Sequence, residues 1–276
     1  MLHACVIRAD HAPPTRLFVK NAVEIYSCPT CGCVMADMDF VHDQYESDSY
    51  YTIAFRTQEE IELEWGFRWR YILQRILRRI ERPRLLEVGA GNGFFIHLAR
   101  TELGLRADGL EISDAESGFA RRMFGVRFLR GDLAALGSNY DVVSSFNVIE
   151  HVTKPLELLA TMRDRLRPNG YLVLTTPSPA CIHRRIRGLR KWGMVAPPHH
   201  INLFTRIALF EMLEDAGFDV LEYSTLSTYI NFVRSIDTPN LLLRRAVFHL
   251  LKSANLGADH FVMCRKRPES AGHRGS

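Results

Sequence analysis

From Arg84 onward, short apolar runs alternate with segments of helical period, and this rhythm constrains the fold more than anything else in the chain. The runs are RLLEV (84–88), RADGLEI (106–112), VRFLRGD (126–132), DVVSSFNVI (141–149), GYLVLTTP (170–177), FDVLEYS (218–224) and DHFVMCRKR (259–267). Helical spacing falls at 94–102, 114–123, 155–166 and 205–216. Strands this short and this uniformly apolar must be covered on both faces, and helices between them supply the cover. The expectation is an α/β fold with a doubly wound, mostly parallel, seven-stranded sheet. With 276 residues and 47% hydrophobic content, the chain can fill such a domain and one small appendage.

The appendage is expected at residues 1–55, a loop-rich lobe holding four of the six cysteines. A helix is expected over 60–82, with Ile61, Trp65, Trp69, Ile72, Leu73, Ile76, Leu77 and Ile80 on one face. Arg75, Arg78, Arg79 and Arg82 lie on its solvated face, and Pro83 ends it. The main domain then spans 60–267, with a mostly helical insertion at 224–258 and a polar, flexible tail at 268–276. Neither a secretory leader nor a run of about 20 apolar residues is visible, which places the chain in the cytoplasm without a transmembrane segment. A net charge of +4 is too small to indicate a nucleic-acid partner.

Gly89, Gly91 and Gly93 follow the first of these strands and precede a helix. In a doubly wound sheet, ligands bind beyond the carboxyl ends of the strands, where glycine lets the backbone turn tightly and approach closely. Glu111 ends the next strand, about twenty residues on, where a carboxylate can take both hydroxyls of a ribose. Dinucleotide enzymes favour G-x-G-x-x-G, whereas here Glu87 precedes a G-x-G-x-G.

EVGAGNG resembles motif I of the class I S-adenosylmethionine-dependent methyltransferases. GLEIS is similar to their ribose-binding strand end, and LRGDLAAL to their adenine-binding loop. YDVVSSFNVIEHVTKPLELLATMRDRLRPNGYLVLTTPSP resembles their fourth strand, helix and fifth strand, and PPHHINLFTRIALFEMLEDAGFDV their last helix–strand unit. The resemblance covers residues 60 to 267. It implies S-adenosylmethionine as cofactor, with Glu87, Gly89, Gly91 and Gly93 at its methionine end, Glu111 on the ribose and Asp132 at the adenine. Asn147 is implied near the sulfonium and the acceptor. The implied acceptor is a small molecule: a sugar, a lipid-linked compound or a secondary metabolite.

Three histidines are candidates for acceptor chemistry. His151, in NVIEHV, follows the fourth strand on the cofactor side and can act as a general base or simply cap its loop. Some related O-methyltransferases bind a divalent metal through E-x-x-E-H here, but Asn147 stands where the first acid would be. His199 and His200, in PPHHINLF, fall where the family builds its acceptor site. Five basic residues between Arg184 and Lys191 form either a solvated helix face or a receiver for a phosphate or anionic headgroup, the one route to peripheral membrane contact.

CPTCG (28–32) has the turn of a zinc knuckle, and the lead-in LFVKNAVEIYSCPTCGCVM resembles the second half of a zinc ribbon. Cys28 and Cys31 with Cys5 and Cys33 are the expected ligands of a structural Zn2+, with His3 and His11 also within the lobe; free packed cysteines are the alternative. Two other functional classes compete: a nicotinamide-dependent oxidoreductase, and a non-catalytic binding module using the cysteine lobe and the basic segments.

Overall fold

The computed structural model describes residues 4–38, 57–227 and 241–268. His3, the insertion at 228–240 and the tail at 269–276 lie outside these residues. Strands β4 (Arg84–Val88), β5 (Arg106–Leu110), β6 (Tyr140–Phe146), β7 (Leu166–Pro177), β9 (Phe218–Leu226) and β10 (Asp259–Lys266) form a sheet in the order β5-β4-β6-β7-β10-β9. The first four run parallel, and β10 is antiparallel to both β7 and β9. The seventh expected strand, 126–132, is reduced to one parallel bridge, Leu110 to Leu129, at the β5 edge. Arg127, Arg130 and Gly131 are polar or flexible and leave that run too little apolar surface to hold a full ladder.

The strands are apolar throughout because both faces are covered. Leu86, Val143 and Leu172 pack under α5 (Pro155–Arg165) and α7 (Arg206–Asp215), against Leu159, Met162, Leu209 and Met212. Their chain neighbours Leu85, Val142 and Val173 point the other way, under α2 (Phe67–Leu77), α3 (Phe94–Thr101) and α4 (Asp114–Phe124). Ile72, Leu73, Phe95, Leu98 and Phe119 meet them there. Each such fully buried aliphatic side chain contributes about 1.5–3 kcal/mol.

The expected helix over 60–82 is three pieces. The short α1 (Gln58–Ile61), capped by Thr57, runs into a π-helical stretch, Glu62–Gly66, before α2. α2 ends at Leu77, six residues before Pro83, and Arg82 takes a left-handed φ of 50°. Of the arginines expected in solvent, Arg75 instead donates to Glu222 on β9. The insertion is shorter than expected: β9 extends to Leu226, and α8 spans Leu241–Ser253; α6 is the short helix Ile182–Arg187.

The amino-terminal lobe is an antiparallel sheet of β1 (Thr15–Lys20), β2 (Val23–Ser27) and β3 (Val34–Ala36), completed by β8 (Asn202–Leu203). β3 pairs with β8 at Val34–Leu203 and Met35–Asn202. The lobe therefore docks on the segment that immediately follows His199 and His200. Ile25, Val34, Trp192, Ile201 and Leu203 form its own small core.

Candidate functional site

The carboxyl ends of β4, β5, β6 and β7 converge on one rim. After Val88 the chain makes three left-handed turns, with φ of 71°, 49° and 76° at Gly89, Gly91 and Gly93, a conformation that penalises any side chain. At Gly89 space also forbids one: a Cβ would lie 2.3 Å from Val148 Cγ2. The glycine loop is thus pressed against the turn that follows β6. Gly93 starts α3, whose first N–H groups face the rim.

Glu111 ties this loop down. Its Oε2 accepts from the Gly91 N–H at 2.8 Å and its Oε1 from the Ser113 N–H at 2.9 Å. Glu87 is buried, and its Oε2 has no hydrogen-bond partner. Burial pushes the Glu87 carboxyl well above its usual range, and the neighbouring Glu111 adds to the shift. Burial raises Glu111 as well, against its backbone N–H bonds, and lifts Glu116 to about 7. Three carboxyls crowded at one rim, two of them (Glu87 and Glu116) with an orphaned oxygen, fit a ligand that brings positive charge and hydroxyl donors. S-adenosylmethionine, with its sulfonium, ammonium and ribose, has that donor set. Asp132 sits beyond the Leu110–Leu129 bridge, exposed, with its Oδ1 capping Leu133–Ala135 through the Ala134 N–H at 3.1 Å. It flanks the same strand end as Glu111.

Asn147 directly follows β6, with φ 56°. Its side chain accepts from Thr175 Oγ1 at 2.9 Å and donates to Asp259 Oδ1 at 3.2 Å. Asp259 Oδ2 in turn accepts from Arg68 Nη1 at 2.5 Å. Neither Arg68 nor Asp259 is singled out by motif reasoning. The signal was present: Arg68 stands on the apolar stripe of its helix, three residues after Trp65 and four before Ile72.

Glu150, His151 and His200 come together, one donor atom from each lying within 4.8 Å of the others. Glu150 is fully buried; its Oε2 accepts from Thr176 Oγ1 at 2.9 Å, while Oε1 has no hydrogen-bond partner and lies 3.9 Å from His151 Nε2. Burial raises Glu150 to about 7, opposed mainly by the charge of His200. His151 Nδ1 donates to the His199 carbonyl and His200 Nδ1 to the Met194 carbonyl, each at 2.8 Å. A carbonyl cannot donate, so both rings carry their proton on Nδ1, and Nε2 is the basic atom when they are neutral. Burial lowers both histidines, which keeps them neutral near pH 7. His199 contributes its backbone rather than its ring to this cluster. In the basic segment, in and after α6, Ile186, Arg187, Arg190 and Lys191 are exposed.

In the lobe, Cys5, His11, Cys28 and Cys31 each place one donor atom within 4.8 Å of the others. Cys33 does not join them; it is fully buried, its thiol faces the Val34 carbonyl at 3.9 Å, and burial holds its proton on. His11 takes the place expected for Cys33. The Cys5 and Cys31 sulfurs are 3.7 Å apart, near the roughly 3.8 Å that tetrahedral Zn–S bonds of about 2.3 Å would set. The S–H of Cys31 holds Cys5 as a thiolate, down to about 4. His11 Nδ1 faces Cys28 Sγ at 3.7 Å, and its Nε2 faces Glu211 at 3.5 Å, the carboxylate support that ligating histidines commonly have.

A groove of about 970 Å³ runs between α1, α2, α3 and α8, on the face of α2 away from Arg68. Among its charges, Arg70 is paired with Glu62 and Glu102, and Arg75 with Glu222.

The methyltransferase domain family model matches residues 64–223, more than half of the chain. The ubiquinone biosynthesis O-methyltransferase of Cereibacter sphaeroides is 29% identical over 153 residues, 50% of this chain and 61% of that protein. The tRNA U34 carboxymethyltransferase of Chromohalobacter salexigens is 33% identical over 134 residues, 42% of this chain and 39% of that one. The chain thus spans less than two thirds of the length of these relatives. The magnesium protoporphyrin IX methyltransferase of Synechocystis PCC 6803, solved with bound SAH, shares the fold at TM-score 0.54 and 16% identity, covering 81% of this chain and 96% of its own. Among the described residues no helix is long and apolar enough to cross a membrane.

Proposed function

Since the chain belongs to the methyltransferase domain family, we propose that it transfers a methyl group from S-adenosylmethionine to a hydroxyl-bearing small molecule, such as a sugar, a lipid-linked compound or a secondary metabolite. The observation that carries this reading is the Glu150–His151–His200 cluster at the end of β6, next to the glycine loop through the Val148–Gly89 contact. The names of the similar proteins point in different directions, to ubiquinone biosynthesis, a tRNA and magnesium protoporphyrin IX, whereas this cluster favours a hydroxyl acceptor.

When bound, the cofactor supplies an electrophilic methyl on a sulfonium, and the protein must align the acceptor with it and take away its proton. Glu87 and the glycine loop would hold the methionine end, Glu111 the ribose and Asp132 the adenine edge. Neutral His151, its tautomer set by the His199 carbonyl, presents Nε2 to an acceptor hydroxyl. Glu150, titrating near neutrality at 3.9 Å, stabilises the imidazolium that forms or shares its proton. His200 lines the same space.

Labelled S-adenosylmethionine offered with pools of hydroxylated acceptors tests the reaction. Replacing His151 by Ala should lower turnover about 10²–10⁴-fold with cofactor affinity nearly intact. Full activity in both His151→Ala and the His199/His200 double alanine variant would remove histidine catalysis and leave alignment alone.

We assign a structural Zn2+ to Cys5, His11, Cys28 and Cys31, supported by the sulfur spacing and the Glu211 carboxylate behind His11. Up to one zinc per chain is expected by metal analysis, and a metal-free protein of unchanged stability would leave a lobe of packed cysteines.

A further inference from the structure

The two rings of the acceptor site lean on one irregular segment, residues 192–200, and that segment is held from two sides. On its inner side, its carbonyls fix the rings: His200 Nδ1 donates to Met194 and His151 Nδ1 to His199, each at 2.8 Å. On its outer side, the amino-terminal lobe holds two further carbonyls. Lys20 Nζ donates to Trp192 at 3.1 Å, and Asn21 Nδ2 to Pro197 at 2.8 Å. The two sets alternate along the chain: Trp192 to the lobe, Met194 to a ring, Pro197 to the lobe, His199 to a ring.

The segment has little of its own to keep this shape. Among the described residues, its internal backbone bonds are turn contacts, from the Val195 N–H to Trp192 and from the His199 and His200 N–H groups to Ala196. Backbone outside helix and sheet keeps its geometry through outside partners. Trp192 and Val195 add apolar anchorage in the core of the lobe, with Ile25 and Val34. Just beyond the segment, the Ile201 carbonyl accepts from the Ala36 N–H at 2.9 Å, and the Ile201 N–H donates to the Glu150 carbonyl at 3.0 Å. One strip of backbone therefore joins the lobe to the turn that carries Glu150 and His151.

Lys20 and Asn21 sit at the β1–β2 hairpin. Asn21 and Ala22 have φ of 50° and 62°, the two-residue turn that favours Asn at its first position. The turn accounts for an asparagine, which glycine would serve as well, but it does not require the amide to reach Pro197.

We propose that Lys20 and Asn21 are positioning residues for the acceptor site: they clamp the 192–200 segment, and the clamp fixes the direction in which His151 and His200 present Nε2. The assignment rests on the reading of this cluster as acceptor chemistry. It gives the amino-terminal lobe a part in methyl transfer without any contact to cofactor or acceptor.

Three substitutions in the full chain test it. Asn21→Gly keeps the turn and removes the amide, Lys20→Met keeps the stem and removes the donor, and Lys20→Arg retains a donor. In the Asn21→Gly/Lys20→Met protein, the imidazole nitrogen resonances of His151 and His200 should leave the single Nδ1–H tautomer of the native protein. Transfer from labelled S-adenosylmethionine to the hydroxylated acceptor pools should fall about tenfold or more, since a displacement of about 1 Å can cost about 10²-fold. S-adenosylhomocysteine should bind within about twofold of native. Asn21→Gly alone should show the same change in smaller measure, and Lys20→Arg should stay near native. A lower melting temperature with unchanged histidine resonances and turnover would make both residues props of the lobe alone and overturn the proposal. Loss of S-adenosylhomocysteine affinity in step with turnover overturns it as well, as a general loosening. If the native protein transfers no methyl group while the histidine resonances still respond, the clamp stands and the catalytic reading falls.

Discussion

Glu150→Gln separates the electrostatics of the proposed catalytic cluster from its packing. Gln matches the carboxyl in shape and can still accept from Thr176 Oγ1. The wild-type group is lifted from 4.5 to about 7 by burial, with Asp259 adding to the shift and His200 and the Thr176 hydrogen bond opposing it. A shift of this size corresponds to about 3 kcal/mol, at 1.36 kcal/mol per pH unit. The sign follows from linkage. The folded state holds the proton more tightly than the unfolded chain, so the contribution is fully present below the unfolded pKa and is lost as pH rises through the folded one. Between pH 5 and 8.5, wild-type stability should therefore fall by up to about 3 kcal/mol more than that of the variant. Expressed as a melting temperature, the gap should open by roughly 6–12 °C toward alkaline pH. Glu116 titrates in the same direction in both proteins and cancels in the difference. Urea unfolding of the two proteins across this pH range is the assay. A stability difference constant to within about 0.5 kcal/mol would refute the reasoning and show that water or a nearby cation keeps Glu150 ionised.

Gly89→Ala should cost about 2–4 kcal/mol in thermal unfolding, from the left-handed backbone plus the 2.3 Å approach to Val148; adding Val148→Ala should recover only the steric share. Glu111→Ala should weaken S-adenosylhomocysteine binding by at least about tenfold in calorimetry, because the variant loses charge-assisted bonds and frees the Gly91 N–H. His11→Ala should release the metal on purification while Cys33→Ser retains it, read by elemental analysis; the opposite pattern would restore Cys33 as a ligand.

The sheet was legible because its strands are buried on both faces, so pairs such as Leu85–Leu86 and Val142–Val143 leave runs of apolar residues with no polar alternation to blur them. The glycine loop was legible because left-handed φ leaves few residue choices. What stayed hidden depends on tertiary closure. The C-x-x-C spacing picks out Cys28 and Cys31, but nothing in the sequence says that the Cys33 thiol points away from them. His11 was one of several possible donors in the sequence; only the folded lobe, packed against Glu211 on α7, sets it ahead of Cys33. The expected strand at 126–132 failed at an edge, where one neighbour instead of two supports the ladder. Arg68 was missed because amphipathic reading assigns arginines to solvent by default.

The pairing of β3 with β8 also has a consequence for the order in which the protein can be assembled. The cysteine hairpin leaves the ribosome well before the strand that completes its sheet, Asn202 and Leu203. Until those residues emerge, β3 presents an uncovered edge to solvent and to other nascent chains. Thr205, whose hydroxyl donates to the Cys31 carbonyl, arrives later still. The lobe's sheet thus waits for a distant part of the chain, and the histidine loop is set in place by the same two-residue strand that closes it.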